Sequence, residues 1–229
     1  MRTIIFFIAF GLLVIQASAQ EREFSEGFIP ELTGSFAVSD NFSVTGKVES
    51  MHRTHDYSSF ASRTWNYSHE GTKFQTFVAY SFHPLWKIAG GYQLEIEGGG
   101  VYSNRAIQQV SFVQRTTLLR LGHRLRTDQT FYTGGAVKYR LRYRLSSEFA
   151  LEGRSVDPGE MYMTASNELL LSTKSDEEGL ENRFALALGH YLNRQHQFEL
   201  ALDYRTENYL EKGLQHNLWL VAGWYMGFN

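Results

Sequence analysis

The sequence predicts an all-β fold: an antiparallel up-and-down barrel of ten to twelve strands, twelve by preference, that crosses a membrane. Three observations predict it. In Ala136–Leu145, Val137, Tyr139, Leu141, Tyr143 and Leu145 alternate with Lys138, Arg140, Arg142 and Arg144. A period of two is that of a β-strand, whose successive side chains point to opposite faces. On a helix the same residues would scatter charge and apolar bulk around the whole cylinder. The same alternation returns in eleven segments, each with one face almost free of charge. The chain also opens on a targeting segment and has no long apolar run after it.

The 229 residues include no cysteine, three prolines and twenty glycines, and 15% are aromatic. Tyrosine and phenylalanine suit pleated, half-buried surfaces. Without cysteine, disulfide frameworks, cysteine zinc sites and thiol catalysis are excluded. The mean hydropathy of -0.32 resembles that of a soluble protein. A membrane barrel reads the same way, because only alternate residues face lipid.

Arg2 followed by the apolar run Ile4–Ile15 and by Ala17-Ser18-Ala19 forms a secretory signal with a small-x-small cleavage site. Cleavage is expected between Ala19 and Gln20, and Gln20, not being cysteine, gives no lipoprotein anchor. The run is too short for a membrane-spanning helix of about 20 residues. The expected organisation is a signal peptide over 1–19, a polar lead over 20–30 and one barrel domain over 31–229.

From Glu31 onward each element follows from its alternation. Leu32, Gly34, Phe36 and Val38 make a first strand, closed by the turn Ser39-Asp40-Asn41, and Phe42, Val44, Gly46 and Val48 a second. Arg53–Thr72 is polar and is expected as a long loop. Phe74–Phe82 ends at His83-Pro84, since proline breaks a strand. Trp86–Ile96 runs to Gly98-Gly99-Gly100, and Ile107–Arg115 and Thr117–Thr127 form the next pair. The cationic strand follows Thr133-Gly134-Gly135 and ends near Asp157-Pro158-Gly159. Met161–Leu171, Phe184–Leu192, Phe198–Tyr204 and Leu218–Phe228 complete the set. Single-chain bacterial barrels have an even strand number. Eleven segments therefore imply a twelfth strand within Glu21–Pro30, or ten without Glu31–Val38. Joints at one end look tight and those at the other long, except Glu152–Glu160, and this asymmetry is typical of outer-membrane barrels.

The faces opposite the apolar ones carry eleven cations: Lys47, Lys87, Arg120, Arg124, Arg126, Lys138, Arg140, Arg142, Arg144, Arg183 and Arg205. Six acids join them: Glu49, Glu95, Glu97, Glu168, Glu199 and Asp203. The surplus of five contrasts with a whole-chain charge of -2, so the loops are expected to be acidic. Only His123, His190 and Asn167 interrupt the apolar faces. At the C-terminus, Gly223, Met226 and Phe228 look like the last-strand signal read by barrel-assembly machinery, with Asn229 displacing the aromatic from the end.

Leu119–Thr127 with its His-Arg-Leu-Arg, Tyr139–Leu145 with Arg-Leu-Arg-Tyr-Arg, and Ser166-Asn167-Glu168 carry a family likeness, joined by Asn182-Arg183 and Tyr204-Arg205. With these stretches the chain resembles the outer-membrane barrel proteins labelled domain of unknown function 2490, common in Bacteroidota-type bacteria. The likeness spans most of Glu31–Phe228. It implies an outer-membrane barrel and no known activity.

No local motif marks catalysis. There is no Gly-x-Ser-x-Gly elbow, and Gly98-Gly99-Gly100 lacks the Lys-Ser/Thr of a phosphate loop. His52 and His55 lack a third metal ligand. A near-neutral balance and a signal peptide argue against nucleic acid. The expected protein is non-enzymatic, without cofactor or metal. It is a monomeric, porin-like barrel of the Gram-negative outer membrane, contacting lipid and the secretion and assembly machinery. Its arginine ladder either binds or passes small anionic solutes, as rings of arginine favour anions, or is zipped shut by ion pairs such as Arg140 or Arg142 with Glu168. The alternative is an enzyme acting on lipid or lipopolysaccharide acyl chains, which needs a serine–histidine pair near the lipid–loop boundary.

Overall fold

Residues 22–57, 63–115, 120–153, 155–175, 177–210 and 213–228 are described by a computed structural model, and they form a closed barrel. The expected cleavage site at Ala19 and Gln20 lies outside the described residues. The strands are β1 (Arg22–Ala37), β2 (Phe42–Tyr57), β3 (Thr64–His83), β4 (Trp86–Glu97), β5 (Gly100–Arg115) and β6 (Arg120–Tyr132). They continue with β7 (Val137–Ala150), β8 (Met161–Lys174), β9 (Glu177–Asn193), β10 (His196–Glu207) and β11 (Leu214–Phe228). Each strand pairs antiparallel with its sequence neighbours. The ring closes between β1 and β11, and that pair is parallel. Parallel closure follows from parity: with eleven alternating strands the first and last run the same way.

The strand number falls inside the expected ten to twelve and matches neither way of restoring an even count. Arg22–Pro30, expected as a lead, is the first half of β1. Most of Arg53–Thr72, expected as a loop, is the end of β2 and the start of β3. Register shifts at Met51/His52 and Arg53/His55 break the strict alternation there, which hides the strands from a period-two reading. Likewise β6 runs on to Tyr132 and β5 starts at Gly100, so the connection between β4 and β5 is short. The asymmetry between tight and long joints is therefore not observed; the longest connection between described strands, between Ala150 and Met161, is at the end expected to be tight.

The outer wall is apolar and open to the surroundings. Leu32, Val78, Ile88, Leu125, Leu141, Phe184, Leu186, Leu200, Leu202 and Leu220 are all exposed on it. Around the β1–β2 turn end runs a belt of ring contacts: Phe36–Phe228, Phe42–Tyr80, Phe82–Trp86, Trp86–Phe112, Phe112–His123 and His123–Tyr143. At the other end Phe28–His52, His52–Tyr67, Phe24–His216 and Tyr204–His216 form a second belt. Polar residues on this wall are more numerous than the three expected, and they satisfy one another. Gln108 bonds Thr127 and Gln129 (2.8 and 3.1 Å), Tyr92 bonds Asn104 (2.7 Å), and Asn167 exchanges bonds with Asn182 (3.1 and 3.2 Å).

The inward face is closed at mid-height. Gln93, Ser103, Ile107, Asp128, Thr130, Glu168, Leu170 and Trp219 are all fully buried, although they come from five different strands. At the seam, Gly27 makes room: a side chain there would run into the Trp219 ring and the His52 carbonyl. The C-terminal signal residues split by parity. Phe228 stacks on Phe36 with ring centroids 4.7 Å apart, while the space a Gly223 side chain would need is filled by Tyr225.

Candidate functional site

Strand register builds the site. Across β5–β10 one row of facing residues reads Ser111, Arg124, Arg144, Glu168, Arg183 and Arg205. The row beside it reads Gln109, Arg126, Arg142, Leu170 and Glu181. Arg124 thus faces Arg144, and Arg126 faces Arg142, across the β6–β7 ladder. Like charges placed directly opposite on a sheet repel, so two stacked Arg–Arg pairs are an unfavourable arrangement unless acids intervene.

Glu168 intervenes. One of its oxygens accepts from Arg124 (2.8 Å), and the other accepts from Arg142 (2.7 Å) and Arg144 (3.1 Å). Its side chain is 1% exposed. Of the two expected partners of Glu168, Arg142 is present, within a hub of three guanidinium groups, whereas Arg140 lies beside Asp128 instead. Asp128 is a second hub that the sequence reading missed. Arg142 donates to it at 3.5 Å, and Arg140 lies 3.2 Å away but is misaligned for a hydrogen bond. Arg126 meets no carboxylate among the described ion pairs. Its Nε and Nη2 donate to Gln109 (3.1 and 2.7 Å), and its guanidinium lies 5.2 Å over the Phe77 ring. Arg105, also missed, is held by Thr130 (2.9 Å) and Gln93 (3.1 Å).

The donors are not used up. The Nε–H groups of Arg124, Arg140, Arg142 and Arg144 are buried without an acceptor among the described residues. A buried unmatched donor costs about 1–3 kcal/mol, so the cluster is under-supplied with negative charge.

The remaining expected residues lie apart from this cluster or at its edges. Arg120 is 59% exposed near the turn end, 3.8 Å from Glu148. Lys138 faces Thr130 on one side and Lys174 on the other. Arg183 pairs with Glu181, and Arg205 with Asp203 (2.7 Å). Glu199 accepts from Tyr162 (2.8 Å). A different network spans β1–β5: Lys47 bridges Glu31 and Glu49, Lys73 lies between Glu49 and Glu95, and Ser103 donates to Glu95. Near the mouth that holds Arg22, a polar recess of about 400 Å³ is lined by Glu23, Ser25, Arg53, Asp56, Gln215 and Asn217 among others. Among the described residues no group of three His, Cys, Asp or Glu side chains is placed to hold a metal ion.

The family model described as protein of unknown function (DUF2490) matches residues 30–214. No curated protein and no solved structure matches the chain.

Proposed function

We propose that this chain, which belongs to the DUF2490 family, is a non-enzymatic outer-membrane barrel whose interior binds small anionic solutes. The observation that carries the proposal is the pair of facing arginine couples, Arg124–Arg144 and Arg126–Arg142, which share Glu168 and, through Arg142 alone, Asp128. Such a surplus attracts anions, and low-dielectric walls strengthen the attraction.

The exposed apolar wall between two aromatic belts supports the membrane reading. Water-soluble sheets turn their apolar face to a core, whereas membrane barrels turn it to lipid and flank it with aromatics. The buried mid-height layer favours binding over free passage, as barrels of this size fill with their own side chains. Outer-membrane lipid and the secretion and assembly machinery are the partners this reading needs, with a cleaved signal peptide delivering a monomer.

Two measurements test it. The protein should be recovered in the outer-membrane fraction and migrate differently on a detergent gel before and after boiling. Recovery as a soluble periplasmic protein would overturn the membrane reading. In planar bilayers it should show no large steady conductance, and any leak should prefer anions. A large cation-selective conductance counts against an anion-binding interior.

One contact favours a second reading. Ser50 Oγ lies 3.1 Å from His69 Nε2 on the outer wall, near the second aromatic belt. An acyl-ester hydrolase would use such a pair as nucleophile and base. However, His69 Nε2 is equally close to Thr72 Oγ1 (3.1 Å), and no carboxylate hydrogen-bonds this ring among the described residues. Hydrolysis of a fluorogenic acyl ester that is lost in Ser50→Ala would establish this reading, and no turnover by the native protein dismisses it.

A further inference from the structure

The third row of the wall is built differently from the two arginine rows. On the turn side of Arg124, Arg144 and Glu168, the facing residues are Gly122, Ser146, Ser166 and Ala185. All four are small. Arg124, Arg144, Arg183 and Glu168 thus stand beside a row, or shelf, that carries no large side chain of its own. Two of the shelf residues offer hydroxyl groups, and Ser146 holds its own by donating to the Gly122 carbonyl at 3.2 Å.

Exposure falls in steps away from the turn end. The side chains are 59% exposed at Arg120, 36% at Arg144, 22% at Arg124 and 8% at Arg142. The cations therefore form a stair that starts in solvent and ends buried. Beyond Arg142 the fully buried Asp128 and Thr130 close the route. The opposite mouth differs: its recess includes two acids, Glu23 and Asp56, and its Arg53 is already paired with Asp56 and Glu70.

From these features we infer that the shelf and the stair form a blind receptor for a multiply charged oxyanion of the phosphate class, entered from the turn-side mouth. The inference rests on the anion-binding reading and adds the ligand class and the side of approach. A singly charged anion would neutralise one of the two facing guanidinium groups, Arg124 or Arg144, and leave the other unmatched. A phosphate-class anion carries more than one charge and several acceptor oxygens, enough to span Arg124 and Arg144 and take up their unmatched Nε–H donors. Arginine forks suit phosphate oxygens because two parallel N–H groups meet two acceptors. The Ser166 hydroxyl can donate to an oxygen that the arginines leave free.

The test uses the full barrel purified in detergent, titrated by calorimetry with pyrophosphate, inorganic phosphate and acetate at matched ionic strength. Pyrophosphate should bind at least tenfold more tightly than acetate, with phosphate between them. Arg144→Gln should weaken pyrophosphate binding at least tenfold. Ser166→Leu fills the shelf without changing charge, so it should weaken pyrophosphate while leaving the acetate response in place. It also keeps the test decisive if Arg144→Gln does not fold. Equal weak binding of all three anions overturns the phosphate-class receptor and leaves the anion-binding interior standing. No binding of any of them overturns both. Undiminished pyrophosphate binding by Ser166→Leu removes the shelf from the site and overturns the receptor described here.

Discussion

The two charged walls of the interior use the same kind of residue to opposite ends. On β1–β4, Lys47 lies 2.7 Å from Glu31 and 2.8 Å from Glu49, and Lys73 stands between Glu49 and Glu95 at 3.8 and 3.6 Å. Lys47 and Lys73 each have two acids, and Glu49 is shared between them. On β6–β8, Glu168 serves three arginines, while Arg126 has only an amide and an aromatic ring. The first wall is a closed zipper; the second has two carboxylates, Glu168 and Asp128, among Arg124, Arg126, Arg140, Arg142 and Arg144, and keeps an excess of positive charge. Burial alone does not distinguish them. What separates them is the ratio of acids to bases within hydrogen-bond reach.

The comparison can be broken most forcefully at Glu168. Glu168→Gln leaves three guanidinium groups facing one another, and losing one partner of a buried ion pair costs about 3–5 kcal/mol. The urea midpoint of the folded, heat-modifiable form should drop accordingly; an unchanged midpoint would mean the arginines are separately solvated. Lys47→Met should cost less, about 1–3 kcal/mol, because its charged hydrogen bonds are lost but Glu31 and Glu49 remain partly solvated. Arg126→Met sharpens the contrast by its small effect. Loss of the bonds to Gln109 is offset by relief from the facing Arg142, so its midpoint should lie within about 1 kcal/mol of the native one. If Arg126→Met destabilised the barrel as much as Lys47→Met, the two walls would be energetically alike, and the cationic surplus would have no cost to relieve.

Strand identity and facing were legible wherever apolar residues alternate without a break, as in Val137–Leu145, and with them the Arg142–Glu168 pair on adjacent strands. Asp128 was not. It lies in Thr127-Asp128-Gln129-Thr130, where both faces are polar, so the period-two signal vanishes although the strand continues to Tyr132. The outward Thr127 and Gln129 are satisfied by Gln108 on β5, a cross-strand solution that hydropathy cannot reveal. Bulges had the same effect at Arg53–Thr72, where one extra residue reverses the parity of everything after it. The excess of arginine over acid was visible as a sum, but its concentration on β6–β7 depended on register, and register is a property of pairs of strands.

The parallel seam has a practical consequence. Because β1 and β11 run the same way, Arg22 lies beside Leu214 at one mouth and Phe228 beside Phe36 at the other. If the barrel crosses a bilayer, the two ends of the described chain face different compartments. The chain has no native cysteine, so a single thiol introduced by Glu23→Cys or by Gly227→Cys is an unambiguous reporter. A membrane-impermeant maleimide applied to intact cells should label one of these variants and spare the other, and the one it labels identifies the mouth that opens to the outside world.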